Sequence, residues 1–102
     1  MIHVIATIEL HEGQRDAFLA EFRGVMPHVL AEDGCLEYGP AVDLMTDVRA
    51  QHPERPDAVT IIEKWSSVEH LKQHLAAPHM GEYRGRVKAM VARTILYVLS
   101  PA

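Results

Sequence analysis

The chain has 102 residues, of which 48% are hydrophobic and 24% charged, and its formal net charge is -4. This length accommodates one domain, residues 1–102, and the composition is that of a globular protein rather than a disordered or fibrous one. The acidic balance and the lack of a lysine or arginine cluster disfavour nucleic-acid binding, because duplex-binding domains carry a basic face.

The sequence also bears on the compartment. The N-terminal segment lacks the basic start and the unbroken apolar run of a signal peptide. No apolar stretch is long enough to cross a bilayer. The single cysteine, Cys35, cannot form an internal disulfide and gives no sign of an oxidising compartment. We therefore expect a cytoplasmic protein with no membrane insertion.

The first half of the chain predicts a strand, a helix and a second strand. Residues 2–10 alternate between apolar and polar positions, which is typical of a strand with one apolar face. Residues 14–31 have helical periodicity, and Pro27 within them predicts a kink or a break. Gly34 suits the left-handed position after a helix, and residues 35–44 predict the second strand.

The second half predicts, after a long polar connection at residues 45–57, a strand, two helices and a final strand. These elements are expected at residues 58–65, 66–76, 78–90 and 91–99. Ser66 and Glu69 have the spacing of a capping box, and Pro78 suits the first turn of a helix. The connection is too long for a tight hairpin.

The element order β-α-β-β-α-β predicts an α+β fold, the ferredoxin-like sandwich. The last two strands are apolar at both parities, through Val59, Ile61, Ile62, Ile95, Leu96, Val98 and Leu99. Because helices cover only one face of such a sheet, the second face needs another cover, and a partner's sheet is the simplest one. We therefore expect a homodimer.

No phosphate-binding glycine loop, nucleophile elbow or cysteine pair is present, and no metal or other cofactor is predicted. His70 and His74 are four residues apart and share a helix face, and His79 follows them. Three histidines can bind a metal, so a histidine-rich metal buffer is an alternative, although the pattern is nonspecific and lacks the glutamate of H-E-x-x-H.

A carboxylate and a histidine stand out as chemical groups. Glu63 lies on an otherwise apolar strand face, where burial would raise its pKa; the alternative is a carboxylate at the rim, paired with an arginine.

His79 lies in the first turn of a helix, whose dipole disfavours imidazolium and thus suits a general base; the alternative is a packing or capping role. The aromatic residues Trp65, Phe18, Phe22, Tyr38 and Tyr83 would ordinarily form core.

Three motifs occur together, namely Glu32-Asp33-Gly34-Cys35-Leu36-Glu37-Tyr38, Glu63-x-Trp65 and Ala77-Pro78-His79-Met80. In this combination and at these spacings the chain resembles the antibiotic-biosynthesis-monooxygenase family, and within it the bacterial quinol monooxygenase branch, along nearly its whole length. The resemblance implies a dimeric α+β barrel, in which two ferredoxin-like sheets pack face to face and each protomer has a cavity between its sheet and its helices.

The resemblance also implies oxygenation of electron-rich dihydroxy-aromatics by dioxygen without metal, flavin or haem. The haem-degrading members of the family rely on an asparagine in the first strand and a histidine late in the last helix. This chain has Ala6 and Arg84 at those positions, so haem degradation is disfavoured.

A quinol donates an electron to dioxygen once a phenolic proton leaves, so the reaction needs a base, a dry pocket and a flat wall. We expect His79 or His74 as the base, Glu63 to orient a ring hydroxyl, and Trp65 as the stacking wall. The expected substrate-binding side chains are Trp65, Tyr38, Phe22 and Tyr83. An isomerase acting on a small hydroxyketone and a non-catalytic module that binds a quinone or aromatic are the alternatives.

Overall fold

The computed structural model describes residues 1–102 as a four-stranded antiparallel sheet with three helices. The elements in chain order are β1 (Ile2–Leu10), α1 (Arg15–Leu30), β2 (Cys35–Ala41), β3 (Ala58–Trp65), α2 (Val68–Ala76), α3 (Pro78–Val87) and β4 (Val91–Leu99). The strand order is β2-β3-β1-β4. This is the ferredoxin-like α+β arrangement, so the predicted fold class is confirmed. None of the helices is long and apolar enough to span a membrane.

The strand register decides which side chains face the helices. Every second residue of β1, from Val4 to Leu10, is buried beneath them. Residues paired directly across antiparallel strands point to the same face. The pairing of Val4 with Glu63 extends the buried face onto β3, and the pairing of Tyr38 with Glu63 extends it onto β2. A carboxyl and a phenol thus become neighbours on the covered side of the sheet.

Helix α1 packs on this face through Phe18, Phe22, Val25 and Val29. Of the kink or break expected at Pro27, the break is absent, since the helix continues to Leu30, and the kink stays a prediction. Pro27 lies in the last turn, where its missing N–H removes one intrahelical bond while its carbonyl still accepts the N–H of Ala31 at 3.2 Å.

The predicted start of α2 is wrong by one residue. The capping side chain is Ser67, whose Oγ accepts the backbone N–H of His70 at 3.2 Å. Ser66 still pairs with the segment that precedes β2, since its N–H donates to the carbonyl of Gly34 at 2.8 Å. The capping pair is therefore Ser67 and His70 rather than Ser66 and Glu69.

Two other elements are shorter at their C-terminal ends than predicted. Strand β2 ends at Ala41 rather than at residue 44, because its last partner on β3 is Thr60. Helix α3 ends at Val87 rather than at residue 90, and the N–H of Met90 closes a turn onto the carbonyl of Val87 at 2.8 Å.

The face of the sheet opposite the helices carries exposed apolar side chains. Ile62 and Tyr97 both pair with Ile5 across the sheet, and Leu99 lies two residues beyond Tyr97 on the same face. Tyr97 is 60% exposed and Leu99 is 44% exposed. We call Ile62, Tyr97 and Leu99 the outer patch. It is the surface from which the sequence predicts a homodimer, and the dimer itself stays a prediction.

Candidate functional site

A cavity of about 550 Å³ lies between the helix-facing side of the sheet and helices α2 and α3. Its sheet wall is mostly apolar, with Ala6, Ile8 and Ile61 among its residues. The polar side chains at its wall are Tyr38, Glu63, His74, Tyr83, Arg84, Lys88 and Thr94. An apolar cavity with a few convergent polar groups is the usual form of a small-molecule site.

Glu63 is the acidic group of the cavity. It is 5% exposed, and its Oε1 accepts a hydrogen bond from Trp65 Nε1 at 2.9 Å, because residues two apart on a strand share a face. Burial raises the pKa of Glu63 to about 7, the charge of Glu32 adds to this effect, and the Trp65 hydrogen bond opposes it. No arginine or lysine pairs with it. The alternative of a rim carboxylate paired with an arginine is therefore wrong.

His74 is the basic group of the cavity, and it is only 2% exposed. Its Nδ1 lies 2.9 Å from Glu32 Oε2. Since a carboxylate only accepts, Nδ1 carries the proton and donates it to this bond. Nε2 has no hydrogen-bond partner in the protein and is not fully enclosed. Because His74 lines the cavity, we infer that Nε2 faces it. Burial lowers the pKa of His74, while the hydrogen bond and charge of Glu32 oppose this effect. Burial has the larger effect, so the neutral form of the His74 ring is favoured.

Glu32 lies in the turn between α1 and β2, and its Oε2 bridges two imidazoles. The same oxygen is 2.9 Å from His74 Nδ1 and 2.8 Å from His79 Nε2. Glu32 was not among the residues predicted to form the site. One signal was present, because Glu32 begins the motif that ends at Tyr38, but nothing local to that motif points to histidines more than 40 residues away.

The structure separates the two histidines that were expected to act as base. His74 is at the cavity wall, whereas His79 is not among the lining residues and its side chain is 29% exposed. His79 lies on the outer side of Glu32, with its ring centroid 6.0 Å from that of His28. The helix dipole alone suited His79 to the role of base, but the Glu32 carboxylate lies 2.8 Å from its Nε2 and occupies that nitrogen. The geometry therefore favours His74 over His79 as the base.

The expected substrate-binding aromatics divide into two groups. Tyr38 and Tyr83 line the cavity, and burial raises the pKa of both phenols, so they remain O–H donors at neutral pH. Trp65 and Phe22 are fully buried and are not among the lining residues, so their direct contact with a ligand stays a prediction that this cavity wall does not favour. The Trp65 ring packs 4.6 Å from His74, and the Phe22 ring stacks 5.2 Å from Tyr38.

His70 has a structural role away from the cavity. Its Nδ1 is 2.7 Å from Ser67 Oγ and its Nε2 is 3.3 Å from Asp33 Oδ2. His70 and His74 therefore face different carboxylates although they lie one helical turn apart. No group of three or more His, Cys, Asp and Glu side chains is arranged to hold a metal ion. The alternative of a histidine-rich metal buffer has no preformed ligand set.

Three comparisons place the chain among known proteins. Residues 1–86 match the family model described as Antibiotic biosynthesis monooxygenase. The chain is 41% identical over 103 residues to the protein named Probable quinol monooxygenase YgiN from Escherichia coli (strain K12), with 99% of this chain and 98% of the relative covered.

Solved structures share the fold. The crystal structure of PA3566 from Pseudomonas aeruginosa matches with a TM-score of 0.81 at 24% identity, covering 99% of this chain and 93% of that one. The structure of Rv0793 from Mycobacterium tuberculosis matches with a TM-score of 0.79 at 25% identity, covering 99% and 94%. Because the family model matches most of the chain and the curated relative nearly all of it, this chain belongs to the antibiotic biosynthesis monooxygenase family.

Proposed function

We propose that this protein is a monooxygenase that oxidises a quinol or a related dihydroxy-aromatic with dioxygen and without metal, flavin or haem. Family membership and the relative named as a probable quinol monooxygenase support the reaction class. The observation that carries the proposal is the buried His74, with Nδ1 held by Glu32 and Nε2 open to an apolar cavity.

In the proposed reaction, His74 Nε2 accepts a phenolic proton of the substrate. Glu32 stabilises the imidazolium through the Nδ1–H bond, as a carboxylate does in other histidine bases. The resulting anion gives an electron to dioxygen, and one oxygen atom forms a bond to a ring carbon. The O–O bond then breaks and the oxygenated ring carbon loses its hydrogen as a proton, so that the second oxygen atom leaves as water with this proton and the one that His74 returns. Quinol and dioxygen thus become hydroxylated quinone and water.

The other polar groups of the cavity hold the ring in this proposal. Glu63, whose pKa is about 7, either donates to or accepts from the second ring hydroxyl near neutral pH. Tyr38 and Tyr83 donate O–H bonds to ring oxygens. The apolar sheet wall around Ile61 excludes water from the anion. Trp65 positions Glu63 and His74 from behind instead of stacking on the substrate.

A proton-transferring isomerase of a small hydroxyketone is the second candidate. The observation that favours it is the presence of two groups suited to proton transfer, Glu63 and His74, at one cavity wall. Such a pair can remove a proton from one carbon and return it to the next. Exchange of substrate carbon-bound hydrogen with solvent, without oxygen uptake, would assign this reaction.

Oxygen uptake by metal-free protein supplied with a freshly reduced naphthoquinol tests the first candidate. His74→Ala should lower turnover by roughly a hundred- to ten-thousand-fold, which is the usual contribution of a positioned base. His52→Ala, on the exposed connection, is the matched control and should leave turnover unchanged. Under labelled dioxygen one labelled atom should enter the product. Uptake equal to that of buffer, with no label in the product, would overturn the proposal.

A further inference from the structure

The bridging oxygen of Glu32 connects the cavity with the protein surface. It accepts from His74 Nδ1 at 2.9 Å on one side and from His79 Nε2 at 2.8 Å on the other. The side chains are 2% exposed for His74, 14% for Glu32 and 29% for His79. The hydrogen-bonded series His74–Glu32–His79 therefore runs from a nearly buried ring at the cavity wall to a partly exposed ring at the surface.

Sharing one oxygen couples the two rings. The charge of Glu32 stabilises a proton added to His74, and it equally stabilises a proton added to His79. Since both ring nitrogens are within 2.9 Å of that oxygen, a positive charge on His79 offsets the carboxylate charge that supports His74.

Other titratable or charged groups face the pair without competing for this oxygen. Arg84 of α3 and Glu63 of β3 act on His74 and Glu32 from the cavity side. The Tyr38 ring from β2 lies 5.4 Å from His74, and the His28 ring from α1 lies 6.0 Å from His79. None of them hydrogen bonds to Glu32, so His79 is the one group that shares the carboxylate with His74.

We propose that His79 is a positioning residue, which holds Glu32 against the base His74 and weakens that base when His79 itself takes up a proton from solvent. The added proton goes to His79 Nδ1, since Nε2–H already donates to Glu32. The inference rests on the proposed function in treating His74 as the base. The coupling between the rings is a property of the cluster, and it is measurable without turnover.

The coupling is tested by nitrogen NMR of the imidazole rings in the labelled protein across pH, with His79→Gln and His79→Ala as variants. Glutamine can still donate an N–H to Glu32 but does not titrate. In wild type the His74 signals should move in two steps, one of which coincides with the titration of His79. In His79→Gln they should move in one step and keep Nδ1 protonated. Identical His74 titrations in wild type and His79→Gln would overturn the coupling.

Turnover tests the positioning role. The acid side of the kcat profile should fall in two steps in wild type and in one step in His79→Gln, and His79→Ala should lose at least fivefold more kcat than His79→Gln. Equal losses in the two variants would overturn the positioning role. If wild type oxidised no quinol, the proposed function would fail. The coupling between the rings would still be tested by the NMR titration, which does not depend on turnover. Should His79→Ala not fold, the glutamine variant and the wild-type titration decide the question.

Discussion

Replacing Glu63 by glutamine tests the main electrostatic feature of the cavity. Burial raises the pKa of this carboxyl from its ordinary value of 4.5 to about 7. The unfolded chain therefore releases the proton near pH 4.5, whereas the folded protein keeps it until about pH 7. Within this window the folded state binds more protons, so the stability contributed by Glu63 is present at low pH and is lost as the pH rises.

The size of the loss follows from the two pKa values. At about 1.4 kcal/mol for each pH unit between them, the full loss is ~3 kcal/mol. Glutamine has the same shape, keeps an oxygen to accept the Trp65 Nε1–H, and cannot ionise. We expect wild type to lose roughly 2 to 3 kcal/mol more stability than Glu63→Gln between about pH 5 and about pH 8.

Urea unfolding of both proteins at the two pH values measures this difference, because the contributions of the other titrating groups cancel between them. Glu37→Gln is the matched control, since it removes an exposed carboxyl from the opposite face of the adjacent strand. Its pH dependence should follow that of wild type. If Glu63→Gln also ran parallel to wild type, the reasoning would be refuted, because Glu63 would then ionise equally in the folded and unfolded chains.

Three further predictions concern the fold and its assembly. Gly34→Ala should destabilise the protein by at least about 1 kcal/mol more than Gly13→Ala in urea unfolding. Both glycines have positive φ, but only at Gly34 would an added Cβ collide with a side chain, the ring of His70. Ser67→Ala should cost about 1 kcal/mol and Ser66→Ala little, because only Ser67 caps α2; equal costs would contradict the assignment. Wild type should sediment as a dimer at micromolar concentration and Tyr97→Glu as a monomer, whereas a monomeric wild type would rule out the outer patch as a stable interface.

The elements that are marked by a pattern of neighbouring residues were predictable from the sequence. The bounds of β1, β3 and β4 agree with their alternation and flanking turn residues, since side chains of a strand alternate between faces wherever the strand lies. The boundaries that were missed depend on partners. Strand β2 ends at the pairing of Ala41 with Thr60, before the ladder reaches the first two residues of β3, and the α2 cap is displaced because Ser66 bonds to Gly34.

The site was only partly predictable, for the same reason. Glu63 could be predicted, because the alternation within one strand shows that this carboxyl lies on an apolar face. Nothing local distinguishes Tyr38, which lines the cavity, from Trp65, which lies behind it, since both are aromatic and both face the helices. The choice between His74 and His79 depends on the position of Glu32, which only the tertiary structure supplies.

The location of Glu32 in the chain has a consequence for how the protein matures. Its hydrogen bonds span 42 and 47 residues, and they join the turn after the first helix to the two helices of the second half. Neither half of the chain contains the His74–Glu32 pair by itself. In the proposed function the base is therefore complete only when both halves have docked, so activity should return no earlier than the native tertiary structure during refolding.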